Sequence, residues 1–188
     1  MQIALILGMA LATQAPQLDP SVKAAWETIK GLEGEWYGQA NDGRKIHHSV
    51  QLFAGGASVL ERSWFEAHPN EMMVTIYHLD QGKLMLTHYC VAGNQPRMRA
   101  TEISPDGKKL LFTFFDGTNL RDRDQGHMDK ASYEFIDKDT FKSNWTWYSK
   151  GKEQWMEAFT FKRGSAPAAK DGASPLVAQT QSPCCGGR

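Results

Sequence analysis

Residues 34–65 read GEWYGQANDGRKIHHSVQLFAGGASVLERSWF. Short runs rich in β-branched and aromatic residues alternate here with turn chemistry, first Asn41-Asp42-Gly43 and then Gly55-Gly56. Runs of that composition bounded by Gly, Asn and Asp are the mark of strands joined by tight hairpins. Three strands follow from this stretch, Gly34–Asn41, Lys45–Phe53 and Ala57–Glu66. The pattern continues to the C-terminal side, predicting strands Glu71–Leu79, Lys83–Val91, Arg97–Ile103, Lys109–Phe115, Lys130–Ile136, Thr140–Lys150 and Glu153–Arg163. Short turns such as Asp80-Gln81-Gly82 and Pro105-Asp106-Gly107 separate them, and only Asp116–Asp129 is a longer loop. On the N-terminal side, Ser21–Lys30 places Val22, Ala25, Trp26 and Ile29 at helical spacing, with Ser21 as N-cap and Gly31 as the stop.

The fold class is therefore all-β. No crossover helix separates the strands, which excludes a parallel sheet. Ten hairpin-joined strands leave two open edges unless the sheet closes, so the expected architecture is an antiparallel up-and-down β-barrel of about ten strands with a short N-terminal helix. A β-sandwich is the alternative. A barrel of this strand number is wide enough to hold one small ligand.

The two ends read differently from the middle. Ile3–Ala12 is an uncharged apolar run too short for a spanning helix, which takes about 20 residues. With Ala10-Leu11-Ala12 as a small-x-small cleavage site, residues 1–15 are expected to be a signal peptide, although Met1-Gln2 supplies no basic side chain. An exported protein, periplasmic or secreted, is the corresponding expectation. Residues 164–188 are rich in Ala, Pro, Ser and Gly and are expected to form a flexible tail carrying Cys184-Cys185. The barrel domain is then 16–163, and all 6 Trp and 9 Phe of the 188-residue chain lie within it. With 21 Lys+Arg against 21 Asp+Glu the net charge is zero, which argues against nucleic acid as a partner. No membrane span is expected.

The helix followed by Leu32-Glu33-Gly34-Glu35-Trp36-Tyr37-Gly38 resembles the opening of the calycin barrels, the lipocalins and fatty-acid-binding proteins. Gly55-Gly56 before a strand, a hairpin around Tyr77-His78-Leu79-Asp80 and ten strands in all resemble a lipocalin-like bacterial domain of unknown function, over about Val22–Arg163. The resemblance implies that Trp36 plugs the closed end, that Gly34 lets the preceding segment pass close by, and that Lys162 or Arg163 lies over the indole as a cation–π partner. The first strand is also similar to that of nitrobindin, a haem-binding calycin, in Gly34, Trp36 and Gly38, but departs at Ala40. The stretch Phe141–Arg163 contains no His to serve as that family's axial ligand, so haem is not carried over and the cofactor is left unknown.

Polar residues on apolar strand faces are the candidate ligand-binding groups. His88 shares a face with Leu84, Leu86 and Cys90, and is expected to point inward. Glu61 shares a face with Val59 and Phe65, and Glu157 with Trp155, Phe159 and Phe161; a carboxylate among such neighbours is paired or functional. Arg97 and Arg99 are expected to meet Glu61 or Glu157 inside the barrel. Tyr77 and Trp147 complete the interior set, and His127 is placed at the mouth on the long loop. His47 and His48 point to opposite faces. His88 and Cys90 supply two metal-ligand types but no third, and no nucleophile elbow, Walker loop or dinucleotide fingerprint occurs, so neither a metal nor a catalytic residue is assigned. The function expected is binding of a small hydrophobic or amphipathic molecule. The alternatives are a small enzyme with His88 or Glu61 as acid/base, and a structural or interaction module whose barrel is filled.

Overall fold

The structure, a computed structural model, describes residues 18–164. The leader expected at 1–15, and the tail with Cys184-Cys185, lie outside the described residues apart from Gly164. One helix, α1 (Pro20–Lys30), precedes ten strands: β1 (Gly34–Ala40), β2 (Lys45–Phe53), β3 (Ser58–Phe65), β4 (Met73–Asp80), β5 (Lys83–Tyr89), β6 (Gln95–Ile103), β7 (Lys109–Thr118), β8 (His127–Asp137), β9 (Thr140–Ser149) and β10 (Lys152–Arg163). Each strand pairs antiparallel with its sequence neighbours, and β1 also pairs with β10, from Trp36 opposite Arg163 to Ala40 opposite Phe159. The barrel is closed, so no strand edge remains for another chain to pair with. The long loop is shorter than expected, residues 119–126, because β7 and β8 extend into it.

α1 begins two residues earlier than an N-cap at Ser21 implies. Asp19 is the N-cap, its side chain accepting from Ser21 N, and Pro20 takes the first helical position, where a missing N–H costs nothing. The apolar stripe Val22, Ala25, Trp26 and Ile29 is buried. It packs on one end of the barrel: a Cβ on Gly107, in the β6–β7 turn, would lie 2.3 Å from Ala25 N. Only a glycine at φ +68° lets that turn touch the helix backbone.

The same end is stoppered by Trp36. Its indole is buried, donates from Nε1 to Leu32 O at 2.6 Å, and meets the Phe141 ring edge-on at 4.9 Å. Arg163, rather than Lys162, lies over the indole, 4.2 Å from its centre. The same guanidinium donates to Gly31 O, Glu33 O and Lys138 O, tying the helix–β1 junction and the β8–β9 turn to the last strand. Gly34, at φ +123°, passes beneath that guanidinium; a Cβ there would sit 3.4 Å from it. Above the stopper the interior is filled by Phe112, Tyr133, Phe135, Phe141 and Phe161.

Candidate functional site

The barrel wall has two chemically different halves. On β2–β5 the inward positions carry polar groups. Register places Glu61 of β3 opposite Thr75 of β4, and Thr75 opposite His88 of β5; one step nearer the mouth, His48 of β2 lies opposite Ser63 of β3. All five are buried, Glu61 at 2% and each of the two histidines at 4% exposure. The facing half, β8–β10, presents Tyr133, Phe135, Phe141, Trp145, Phe159 and Phe161. The two halves meet ring to ring: His48 lies 4.1 Å from Phe161, and His88 4.9 Å from Trp145.

Hydrogen bonds tie part of this stripe down. Tyr77 donates to Glu61 Oε2 at 2.9 Å, and the Tyr133 hydroxyl lies 2.7 Å from that of Tyr77. With Tyr77's hydrogen committed to the carboxyl, Tyr133 donates to Tyr77, making a chain directed at Glu61. Thr75 Oγ1 and His88 Nδ1 share a bond of 3.0 Å. Other groups are left over. His88 Nε2 and His48 Nδ1 are buried without a hydrogen-bond partner among the described residues, and His48 Nδ1 stands 3.5 Å from Glu61 Oε1.

Burial controls protonation here. It pushes the Glu61 carboxyl up to about 7, with the Tyr77 hydrogen bond opposing only in part. It pushes His48 down to about 3, with His47 and His88 adding to the effect, and His88 down to about 4. Both imidazoles are therefore neutral at neutral pH, and His48–Glu61 is a contact rather than an ion pair. Burial, with Glu61 nearby, also holds the Tyr77 and Tyr133 phenols well above their ordinary value.

Two adjoining spaces border the stripe. A small inner cavity of about 30 Å³ is lined by His48, Glu61, Ser63, His88, Trp145 and Phe159 among others. Outside it opens a mouth of about 670 Å³, lined by Arg44, Cys90, Trp147, Trp155, Met156 and Ala158 among others. Phe65, Met73, Met128 and Glu157 line both spaces and so form the partition. Trp147 and Trp155 stack across β9 and β10 at 5.7 Å and 1°. Gly126 of the long loop lies against Trp147, where a Cβ would come within 2.4 Å of the indole. Arg44 pairs with both Asp42 and Glu157 at the rim and lies over the Phe65 ring.

The sequence-chosen residues divide accordingly. His88, Glu61 and Tyr77 come together in the interior, and Trp147 lines the mouth. Arg97 does not join them. It lies on the outer face, exposed and paired with Asp116, because β6 turns its alternate residues Pro96 and Met98 inward. Arg99 lies over Phe115, likewise away from Glu61. Glu157 finds its cation in Arg44 rather than in either of them. His127 is fully buried but lines neither space. It is enclosed by the long loop, against the rings of Phe114 and Tyr148 and in contact with Arg123, Asp129 and Gln125 O. His48, Thr75 and Tyr133 were not singled out from sequence. The signal for His48 was present, since it alternates with Ile46 and Val50 on β2. Among the described residues no group of three or more His, Cys, Asp or Glu is arranged to hold a metal ion, and no helix is long and apolar enough to cross a membrane.

No protein-family model matches the chain, and no curated protein matches it. Among solved structures, a protein of unknown function from the DUF3598 family of Nostoc punctiforme PCC 73102 is similar at 17% identity and a TM-score of 0.49, over 72% of this chain and 48% of that one. This chain thus spans about half the length of that protein. EF1p2_mFAP2b, solved bound to DFHBI, is similar at 9% identity and a TM-score of 0.30, over 75% of this chain and 98% of that one.

Proposed function

We propose that the protein is a calycin-type carrier that binds one small, largely apolar molecule at the open end of the barrel, and that it works outside the cytoplasm. The observation that carries the reading is the mouth itself. Its roughly 670 Å³ falls in the range of ligand sites, and its walls are the indoles of Trp147 and Trp155 with the flexible side chains of Met73, Met128 and Met156. Trp155 and Met156 remain exposed at 46% and 63%, an apolar rim that a ligand would cover. The Trp36–Arg163 stopper supports the calycin assignment, and Ile3–Ala12 supports export. The ligand lies higher than a fully hollow barrel would place it, because aromatic side chains fill the depth.

The filled depth also supports a second reading, an interaction module with no small-molecule ligand. Titration of the full chain with N-phenyl-1-naphthylamine, a neutral fluorescent apolar probe, separates the two. The carrier reading expects one saturable site that Trp147→Ala, which removes an indole from the mouth wall, weakens at least tenfold. Absence of saturable binding favours the module, and binding untouched by Trp147→Ala overturns the mouth as the site.

A further inference from the structure

The mouth accounts for an apolar body, but not for the polar groups directly beneath it. Among the described residues the two adjoining spaces are lined by three acids, Asp42, Glu61 and Glu157, and a single strong base, Arg44. Arg44 is already committed to Asp42 and Glu157. Among the described residues Glu61 is therefore a buried carboxyl with no cation opposite it. Around it stand His48 from β2, Tyr77 from β4, His88 from β5, Tyr133 from β8 and Glu157 from β10, and none of these supplies a positive charge near neutral pH. An anionic head would meet this carboxyl with no base to receive it. A hydroxyl would satisfy hydrogen bonds but, above pH 7 where Glu61 is ionised, leave the charge unmatched.

We propose that the ligand is an amphipathic amine, its protonated nitrogen seated in the inner cavity against Glu61 and its hydrocarbon or aromatic body lying on Trp147 and Trp155 in the mouth. This rests on the carrier reading above and names its ligand class. Size agrees: a cavity of about 30 Å³ admits a group of one or two heavy atoms, since a single water needs roughly 10–15 Å³. Acceptor geometry agrees as well. Tyr77 occupies Oε2 of Glu61, while Oε1 and the unpartnered His48 Nδ1 stand 3.5 Å apart, so one nitrogen can donate to both at the roughly 2.8 Å of charge-assisted bonds. Trp145 and Phe159, which line the same cavity, bring aromatic rings beside the seat of the cation. The flexible side chains of Met73 and Met128 in the partition are the parts that yield to admit it.

Octylamine, octanol and octanoate share one hydrocarbon body and differ only in the head, so their calorimetric titration into the full chain tests the inference. At pH 8 octylamine is expected to bind at least tenfold tighter than octanol, and octanoate more weakly than either. Glu61→Gln, which keeps the shape and removes the charge, is expected to bring octylamine to the level of octanol while octanol binding holds. On the wild-type protein, lowering the pH from 8 to 6 protonates Glu61 and is expected to weaken octylamine about tenfold and octanol little. Octanol binding as tightly as octylamine, or octanoate binding tightest, overturns the amine inference and leaves the carrier reading standing. An amine preference that survives both Glu61→Gln and the drop to pH 6 overturns it too. Failure of all three compounds to bind overturns both readings.

Discussion

The two ends of this barrel each carry a prominent tryptophan arrangement, and the two are built to opposite purposes. At the closed end Trp36 is 2% exposed, its N–H is bonded to Leu32 O, and its face is covered by Arg163. At the open end Trp155 is 46% exposed and is held mainly by stacking on Trp147. Every polar and apolar surface of the first indole has a partner within the chain. Much of the second has none. The difference separates residues that specify the fold from residues left free to meet something else, and substitutions at the two ends should give opposite profiles.

The largest effect is expected at the closed end. Trp36→Ala empties a fully packed position, and deletions of this kind cost about 3–5 kcal/mol. That is a large share of the stability of a small domain, so the variant is expected to unfold at much lower urea than the wild type. A Trp36→Ala protein with an unchanged urea midpoint would show that the stopper carries no stability and break the contrast.

Between the ends lies the polar stripe, whose contribution depends on pH. Glu61 binds its proton more tightly in the folded barrel, at about 7, than at its ordinary value near 4.5. Its favourable contribution is thus complete below about 4.5 and declines as pH rises through 7, by about 3 kcal/mol in all. His48 and His88 act in the other sense. They take up protons near 6.5 when unfolded but stay neutral down to about 3 and 4 when folded, so they weaken the fold as pH falls below 6.5. Glu61→Gln isolates the carboxyl. Relative to wild type, its stability is expected to gain about 3 kcal/mol between pH 4.5 and pH 8, read from urea midpoints. A flat difference across that range would mean that Glu61 has an internal counter-charge.

Arg163 tests the stopper from the strand side. Arg163→Met keeps an apolar stem over the indole but loses the cation–π contact and three bonds to carbonyl oxygens. Because the guanidinium is partly open to solvent, about 1–2 kcal/mol is expected, less than for Trp36→Ala. A loss equal to that of Trp36→Ala would make the arginine, not the indole, the centre of the closed end.

The sequence made these parts unequally legible, for physical reasons. Hairpin chemistry at Asn41-Asp42-Gly43 and Asp80-Gln81-Gly82 is local, so the strand order and closed barrel could be read directly. Strand parity is local too, where one face is plainly apolar: it puts Glu61 beside Val59 and His88 beside Leu84 and Leu86, and it does the same for His48 between Ile46 and Val50. Parity fails at bulges. Register shifts between Arg97 and Met98 and between Met128 and Lys130, at strand ends where the alternation no longer extends regularly. Arg97, which faces outward, and His127, which the long loop encloses so that it lines neither space, sit beside those irregularities. The Tyr133–Tyr77–Glu61 chain spans 72 residues of sequence, from β3 to β8, and no local pattern announces it.

The smallest stability effect, and the sharpest test of the contrast, is expected from Trp155→Ala. Roughly half the side chain is already in water and it makes no hydrogen bond among the described residues, so its loss should move the unfolding free energy by only about 1 kcal/mol, chiefly the stacking on Trp147. Its stacking on Trp147 makes it part of the mouth wall, so saturable N-phenyl-1-naphthylamine binding is expected to weaken several-fold in the same variant. Trp36→Ala, by contrast, should lose binding only in step with folding. If Trp155→Ala instead lowers the urea midpoint and leaves binding intact, the open end is a second structural cap and the difference between the two ends collapses.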